Sequence, residues 1–303
     1  MDRRSWSLLL VLAAIWGASY LFIKVGVRDL SPGMVSWTRV ALGAIVLVAI
    51  AGGRGALRGL WGRAGTLALV GLVQVTGPFL LIAAGEEEIS SSLAGILVAS
   101  APLWTALLAI WVDHDERSQG FRLGGVLLGL AGVTVLLGVD LGGSQSELLG
   151  GLAIVVASLG YAIGGFLVKH RLAGAPPIGV AAGVLVASTA WLAPVALATA
   201  PSDSPGLGPA AAVVALGVLG TGVAFAIFYD LIATVGPARA FIVTYLAPGF
   251  ALAYGAILLD ERITVATLAG LALILAGSYL AVEGQLPARR RCVPEVAPGD
   301  QSA

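Results

Sequence analysis

Side chains able to do covalent chemistry are few in this chain and badly placed for it. The two histidines, His114 and His170, stand beside charged residues at the ends of apolar runs, and two isolated histidines do not make a metal site. The single cysteine, Cys292, lies in a polar C-terminal stretch and has no partner for an internal disulfide. All 17 Asp and Glu residues fall in loops, tails or the last turns of apolar segments. A buried Ser/His, His/Glu or paired-Asp arrangement, which an intramembrane protease or lipid transferase needs, is therefore not expected. The Walker A pattern G-x-x-x-x-G-K-[ST] is absent, so the chain itself should not hydrolyse ATP. These residues predict no metal, no cofactor and no enzyme.

The chemistry that remains is binding. Arg39 is the one basic residue well inside an apolar segment, where it could hold an anionic group or lock a gate. Snorkelling to the interface, or pairing with a loop carboxylate, is the equally weighted structural alternative. Trp16, Gln74, Ser100, Tyr161 and Tyr245 are uncharged groups within apolar segments, able to bind a zwitterion without the cost of a buried permanent charge. Taken singly, each is more commonly a packed aromatic or a satisfied polar residue. Pro102 and Pro248 each remove a helical hydrogen bond and mark candidate hinges, or else static kinks. Asp230 and Glu86, close to segment ends, are the carboxylates left as candidate proton carriers.

These residues need a scaffold, and the composition specifies it. Hydrophobic residues are 58% of the 303 and charged ones 11%, against roughly 25% charged in a globular domain; mean hydropathy is +0.97. Too little charge remains to cover a water-facing surface. Only helices and closed barrels span lipid, and a spanning helix takes roughly 20 apolar residues. Apolar runs between turn signals predict an all-α polytopic membrane protein of ten transmembrane helices, at 7–27, 34–51, 64–84, 92–112, 121–139, 148–168, 178–199, 210–232, 238–258 and 264–283. Arg3 and Arg4 before the first run resemble a secretory leader, but no cleavage site is clearly placed after it and its pattern recurs later.

That recurrence has a fixed offset. Trp16 and Lys24 match Tyr161 and Lys169, Pro32 matches Pro177, Glu116 and Arg117 match Glu261 and Arg262, and Gly125 and Gly132 match Gly270 and Gly277, each pair 145 residues apart. Pro102 and Pro248 are 146 apart. One offset along five helices predicts two five-helix repeats, 1–139 and 140–284, followed by a disordered cytoplasmic tail, 285–303. An odd helix number reverses the second repeat, giving inverted topology with a binding site where the halves meet.

Lys and Arg give the orientation. With the N-terminus inside, cytoplasmic segments hold 13 of the 17, outer segments 3, and Arg39 lies within a helix. Both termini are therefore expected in the cytoplasm. The outer side collects the acidic run Glu86, Glu87 and Glu88. The 42 glycines suit close helix packing. Zero net charge gives no reason to expect nucleic acid; the expected partners are a small-molecule substrate and membrane lipid, with the chain a monomer or weak homodimer.

WGASYLFIK at 16–24, PGMVSWTR at 32–39, GEEEISSSLAGILVASAPLW at 85–104 and FYDLIATVGPARAFIVTYLAPGFALAYGAILLDERIT at 228–264 resemble the EamA type of the drug/metabolite transporter superfamily. The resemblance covers nearly the whole chain except its tail. It implies a single-chain permease of two inverted five-helix repeats that exports small metabolites, such as amino acids, across a bacterial inner membrane. Glu87 and Glu88 stand where a Gln or an aromatic residue commonly follows the first Glu in that family, and Asp230 where neutral polar residues are commoner. The competing readings are an intramembrane enzyme and a non-transporting scaffold. The first lacks a catalytic set, and the second has no need of pseudo-symmetric halves.

Overall fold

A computed structural model of the chain describes residues 1–112, 121–140 and 144–283. His114, Glu116, Arg117, and the tail from 285 with Cys292, lie outside the described residues. Within them every regular element is helical. The long helices are α1 (Arg3–Gly26), α2 (Pro32–Gly53), α3 (Ala64–Glu88), α4 (Ser91–Val98, resuming at Ala101–Val112), α5 (Phe121–Val135, extended by Leu136–Asp140), α6 (Gln145–Arg171), α7 (Pro177–Ala198), α8 (Leu207–Val235), α9 (Val243–Leu258) and α10 (Val265–Glu283). Eight are long and apolar enough to cross a membrane, while those at 122–138 and Val243–Leu258 are shorter apolar helices.

The sequence predicts ten spans of similar length, and α9 departs from that for a local reason. Its first turn is split off as the separate helix Pro237–Ala240, entered through Gly236 at φ 84° and broken from α9 at Phe241 and Ile242. At other helix starts the caps carry the chain further than the apolar pattern does. The Asp2 carboxylate accepts from the Ser5 amide at 3.0 Å, so α1 begins at Arg3. Ser31 accepts from the Met34 amide at 3.2 Å with Pro32 at the first helical position, so α2 begins there.

The outer surface is apolar, unlike that of a water-soluble fold. Large apolar side chains such as Leu197 (79% exposed) and Ile257 (75%) cover the outside, whereas Arg39, Glu86, Ser188 and Thr221 are buried. Lipid is as apolar as leucine, so the helices are held by close van der Waals contact and internal hydrogen bonds.

Packing follows the repeat. α1 lies on α9 as α6 lies on α4, and α2 lies on the middle of α8 as α7 lies on α3. α2 with α7, and α5 with α10, pair a helix with its own repeat mate. At the α5–α10 contact a Cβ on Gly132 would stand 2.9 Å from the Gly270 carbonyl oxygen, and one on Gly125 2.7 Å from that of Gly277. These are the two glycine pairs of the repeat, crossed over. Both long central helices also widen into a π-helical stretch at matching places, Gly71–Thr76 in α3 and Leu216–Val223 in α8. A π stretch leaves backbone carbonyls off the regular ladder and recurs at functional sites.

Candidate functional site

Arg39, on the third turn of α2, is buried in the protein interior rather than reaching for the interface. Its Nε donates to Thr221 Oγ1 at 2.9 Å, within the π stretch of α8, and its guanidinium lies over the Phe79 ring of α3 at 3.8 Å from the centroid. Among the described residues no carboxylate forms an ion pair with it. Gly43 and Gly217 allow this approach of α2 to α8: a Cβ on Gly43 would stand 2.6 Å from a Thr221 methyl, and one on Gly217 3.1 Å from the Arg39 carbonyl oxygen. A delocalised, weakly hydrated cation without a counter-ion suits an anionic group that arrives and leaves.

Tyr20 of α1, Tyr161 of α6 and Glu86 of α3 lie within electrostatic reach of Arg39, so residues from four helices converge here. Of the candidates read from sequence, Arg39 and Tyr161 fall in this group. Trp16, the repeat mate of Tyr161, packs instead with Phe225 and Phe228 of α8, at centroid distances of 6.1 and 5.2 Å. Gln74 lies in the π stretch of α3 against α6, where a Cβ on Gly164 would meet its side chain. The Ser100 hydroxyl is engaged locally, donating to Leu97 O at 2.6 Å and accepting from Trp104 Nε1 at 3.3 Å, which stabilises the break in α4. Tyr245 is half-buried near the start of α9.

Sequence reasoning places the acidic run on the outer surface, and for Glu86 the structure corrects this. Glu87 and Glu88 are exposed, but Glu86 is wholly buried, and among the described residues neither of its carboxylate oxygens has a hydrogen-bond partner. The signal was present in the helical spacing: Phe79, Ile82, Ala83 and Glu86 share the buried face of α3. Lys24 sits beside it, donating from Nζ to the carbonyl oxygens of Glu86 at 2.5 Å and Ile89 at 2.9 Å, where the end of α3 leaves carbonyls unpaired.

Glu261 is a further residue that the sequence marks only as the end of a span. Its Oε1 accepts from the Ser91 amide and hydroxyl at 2.8 and 2.9 Å, and its Oε2 from the Ser92 amide and hydroxyl at 3.0 and 2.5 Å. One carboxylate from the second repeat thus closes the N-terminus of α4 in the first.

At the opposite ends of the helices, Arg54 Nη1 and Asp230 Oδ1 form an ion pair at 2.9 Å, with both side chains about half exposed. Asp230 is therefore a surface partner of arginine, not a buried carboxylate. The prolines also differ. Pro102 occupies the first turn of Ala101–Val112, just after the break at Ala99 and Ser100, where its missing N–H costs nothing, whereas Pro248 lies inside α9. A cavity of about 500 Å³ lies elsewhere, on the shoulder formed by Phe22, Val25, Arg28, Ala212, Leu258 and Asp260. None of the converging polar groups lines it.

Comparison with known proteins places this arrangement. The model of the EamA-like transporter family matches residues 4–138 and, a second time, 148–282. The uncharacterized inner membrane transporter YedA of Escherichia coli K12 is 29% identical, over 97% of this chain and 95% of its own. A probable amino-acid metabolite efflux pump of the same organism is 25% identical, over 94% and 96%. A probable terminal-alkyne amino-acid exporter of Streptantibioticus cattleyicolor is 26% identical, over 96% and 97%. A solved crystal structure aligns over 93% of this chain and 98% of its own with a TM-score of 0.65 at 23% identity, a likeness of fold. Matched twice by one family model and built from helices that pack in repeat-related pairs, this chain belongs to the EamA-like transporter family of the drug/metabolite transporter superfamily and is a multi-pass membrane transporter.

Proposed function

We propose that this protein is a secondary permease that exports a small zwitterionic metabolite, such as an amino acid, by alternating access. In this reading ten helices cross the membrane as two inverted repeats, 1–139 and 140–284, with both termini in the cytoplasm of a bacterial cell. Arg39 carries the argument: it is a permanent cation in the interior, in no ion pair among the described residues, where α2, α3 and α8 meet. A guanidinium so placed recognises a carboxylate, and the hydroxyl-bearing Tyr20 and Tyr161 lie within its electrostatic reach. The names of the E. coli and S. cattleyicolor relatives support the same substrate class.

Alternating access needs contacts that close one side at a time. Glu261 on Ser91 and Ser92 ties the two repeats together at the end where Lys24 and Glu86 lie. Arg54 and Asp230 tie them at the other end. The charge bias makes the first the outer contact and the second the inner one.

The test is reconstitution of the purified chain in liposomes with counterflow of radiolabelled amino acids, one at a time. Accumulation of at least one, recovered unaltered and abolished in Arg39→Gln, is expected. Absence of flux for the whole set rejects the substrate class, and chemically altered solute rejects the permease.

A further inference from the structure

Resting on this permease reading, we propose that Glu86 is the proton-binding group that couples export to proton entry: it holds a proton in the conformation described here and gives it up on the inner side in exchange for substrate. The observation is an unmet need. Both Glu86 carboxylate oxygens are buried and, among the described residues, without a hydrogen-bond partner, and none of the charged groups around them donates to either oxygen.

Lys24, from α1, spends its ammonium on the Glu86 and Ile89 carbonyl oxygens. Arg39, from α2, donates its Nε to Thr221 and stacks on Phe79. Glu261, from the α9–α10 connection, is saturated by Ser91 and Ser92. Tyr20 of α1 and Tyr161 of α6 are the neutral titratable groups on this side, and Glu87 and Glu88 on its own helix face outward. An ionised carboxylate left without a hydrogen bond in such a place is far costlier than the neutral acid.

The repeat supplies a second argument. The position equivalent to Glu86 in the other half is Leu231, also fully buried. The scaffold thus needs only an apolar side chain on this face, and the carboxyl is an addition confined to one half. Its place suits the cycle. Separation of Glu261 from Ser91 and Ser92 would open the outer end beside Lys24, letting a proton from outside reach Glu86. When the inner end opens, Glu86–COOH releases H⁺ to the cytoplasm, and the resulting carboxylate holds the ammonium group of a substrate whose carboxylate lies on Arg39. One proton moves in for each substrate moved out, and no bond other than O–H is made or broken.

Two measurements on the full chain decide this. The first needs no substrate: infrared difference spectra of wild type and Glu86→Gln, recorded from about pH 5 to about pH 9. A carboxylic acid C=O band at neutral pH, lost in Glu86→Gln, is expected, and its absence from wild type overturns the proposal. Glu86→Gln should also keep or raise the thermal midpoint at neutral pH, because it copies the neutral acid; a marked fall would mean that the ionised carboxylate has a structural partner. The second uses proteoliposomes containing a pH dye and an imposed gradient of the amino acid found to undergo counterflow. Wild type should move protons against substrate, Glu86→Gln should lose about tenfold or more of the proton flux, and Glu86→Asp should recover part of it with a shifted pH profile. Undiminished coupled flux in Glu86→Gln overturns the proposal. Should wild type move no amino acid at all, the substrate reading falls and the infrared band still decides Glu86.

Discussion

Arg39 on α2 reaches Thr221 on α8 through a 2.9 Å hydrogen bond, and the repeat leaves this contact without a counterpart. The equivalent positions in the other half are Val184 and Thr76, and the Thr76 hydroxyl is buried with no hydrogen-bond partner among the described residues. The two halves thus share packing and differ in charge. Burying a guanidinium without a carboxylate is a cost to folding. Arg39→Gln, which can still donate to Thr221, should therefore leave the thermal midpoint unchanged or raised while lowering amino acid counterflow by about tenfold or more. Parallel loss of stability and transport would make Arg39 a structural residue.

Glu261 receives four hydrogen bonds from two serines. Charge-assisted bonds and helix N-caps together make its removal worth about 2–3 kcal/mol. Glu261→Ala should lower the unfolding midpoint accordingly and favour the outward-open form. In a Cys292→Ser background, a cysteine introduced by Ser92→Cys should react faster with a membrane-impermeant maleimide added outside when Glu261 is absent. Equal rates would show that the contact does not close that end.

Arg54 and Asp230 are half exposed, and a pair of that kind contributes about 0–1 kcal/mol. Each single alanine variant should therefore unfold close to wild type. If the pair closes the inner end, as proposed, transport should nevertheless shift in both. The charge exchange Arg54→Asp with Asp230→Arg should restore most of it, and a double variant no better than either single one would remove the gate role.

Much of this site was legible in the sequence, and the remainder was lost for identifiable reasons. The glycines on the 145-residue offset, Gly125, Gly132, Gly270 and Gly277, are the ones that bring α5 and α10 together. Arg39 stood out because a charge inside an apolar run is costly. Glu86 was hidden by its neighbours: three consecutive glutamates read as a solvated cluster, although helical spacing from Phe79 and Ile82 puts only the first of them inside. The partnership of Glu261 with Ser91 and Ser92 spans 170 and 169 residues, and no local pattern reports a contact of that range. The π stretches are equally silent, since residue periodicity does not reveal a single widened turn.

A Cβ on Gly277 would stand 2.6 Å from the Gly125 carbonyl oxygen and closer still to the Gly129 amide nitrogen, both backbone atoms that cannot swing aside. Gly277→Val should force α5 and α10 apart and cost about 1–3 kcal/mol or more. Gly124→Ala, on the open face of α5, should be tolerated within about 0.5 kcal/mol. Thermal unfolding in detergent checks both, and similar losses for the two would contradict the crossed glycine contact.

The two prolines should not behave alike. Pro248 stands inside α9, where its ring displaces a backbone hydrogen bond and weakens the helix that packs on α1. Pro102 stands in a first turn that would lack that hydrogen bond with any residue, so the interruption in α4 is the break at Ala99 and Ser100. If α9 bends there as one end opens and the other closes, Pro248→Ala stiffens it and lowers transport several-fold while insertion and thermal stability hold or improve. Pro102→Ala leaves the Ser100 contacts with Leu97 and Trp104 in place and should change transport little. Counterflow measured at equal protein density separates the outcomes: full transport by Pro248→Ala removes the hinge from α9, and a larger loss in Pro102→Ala moves it to α4.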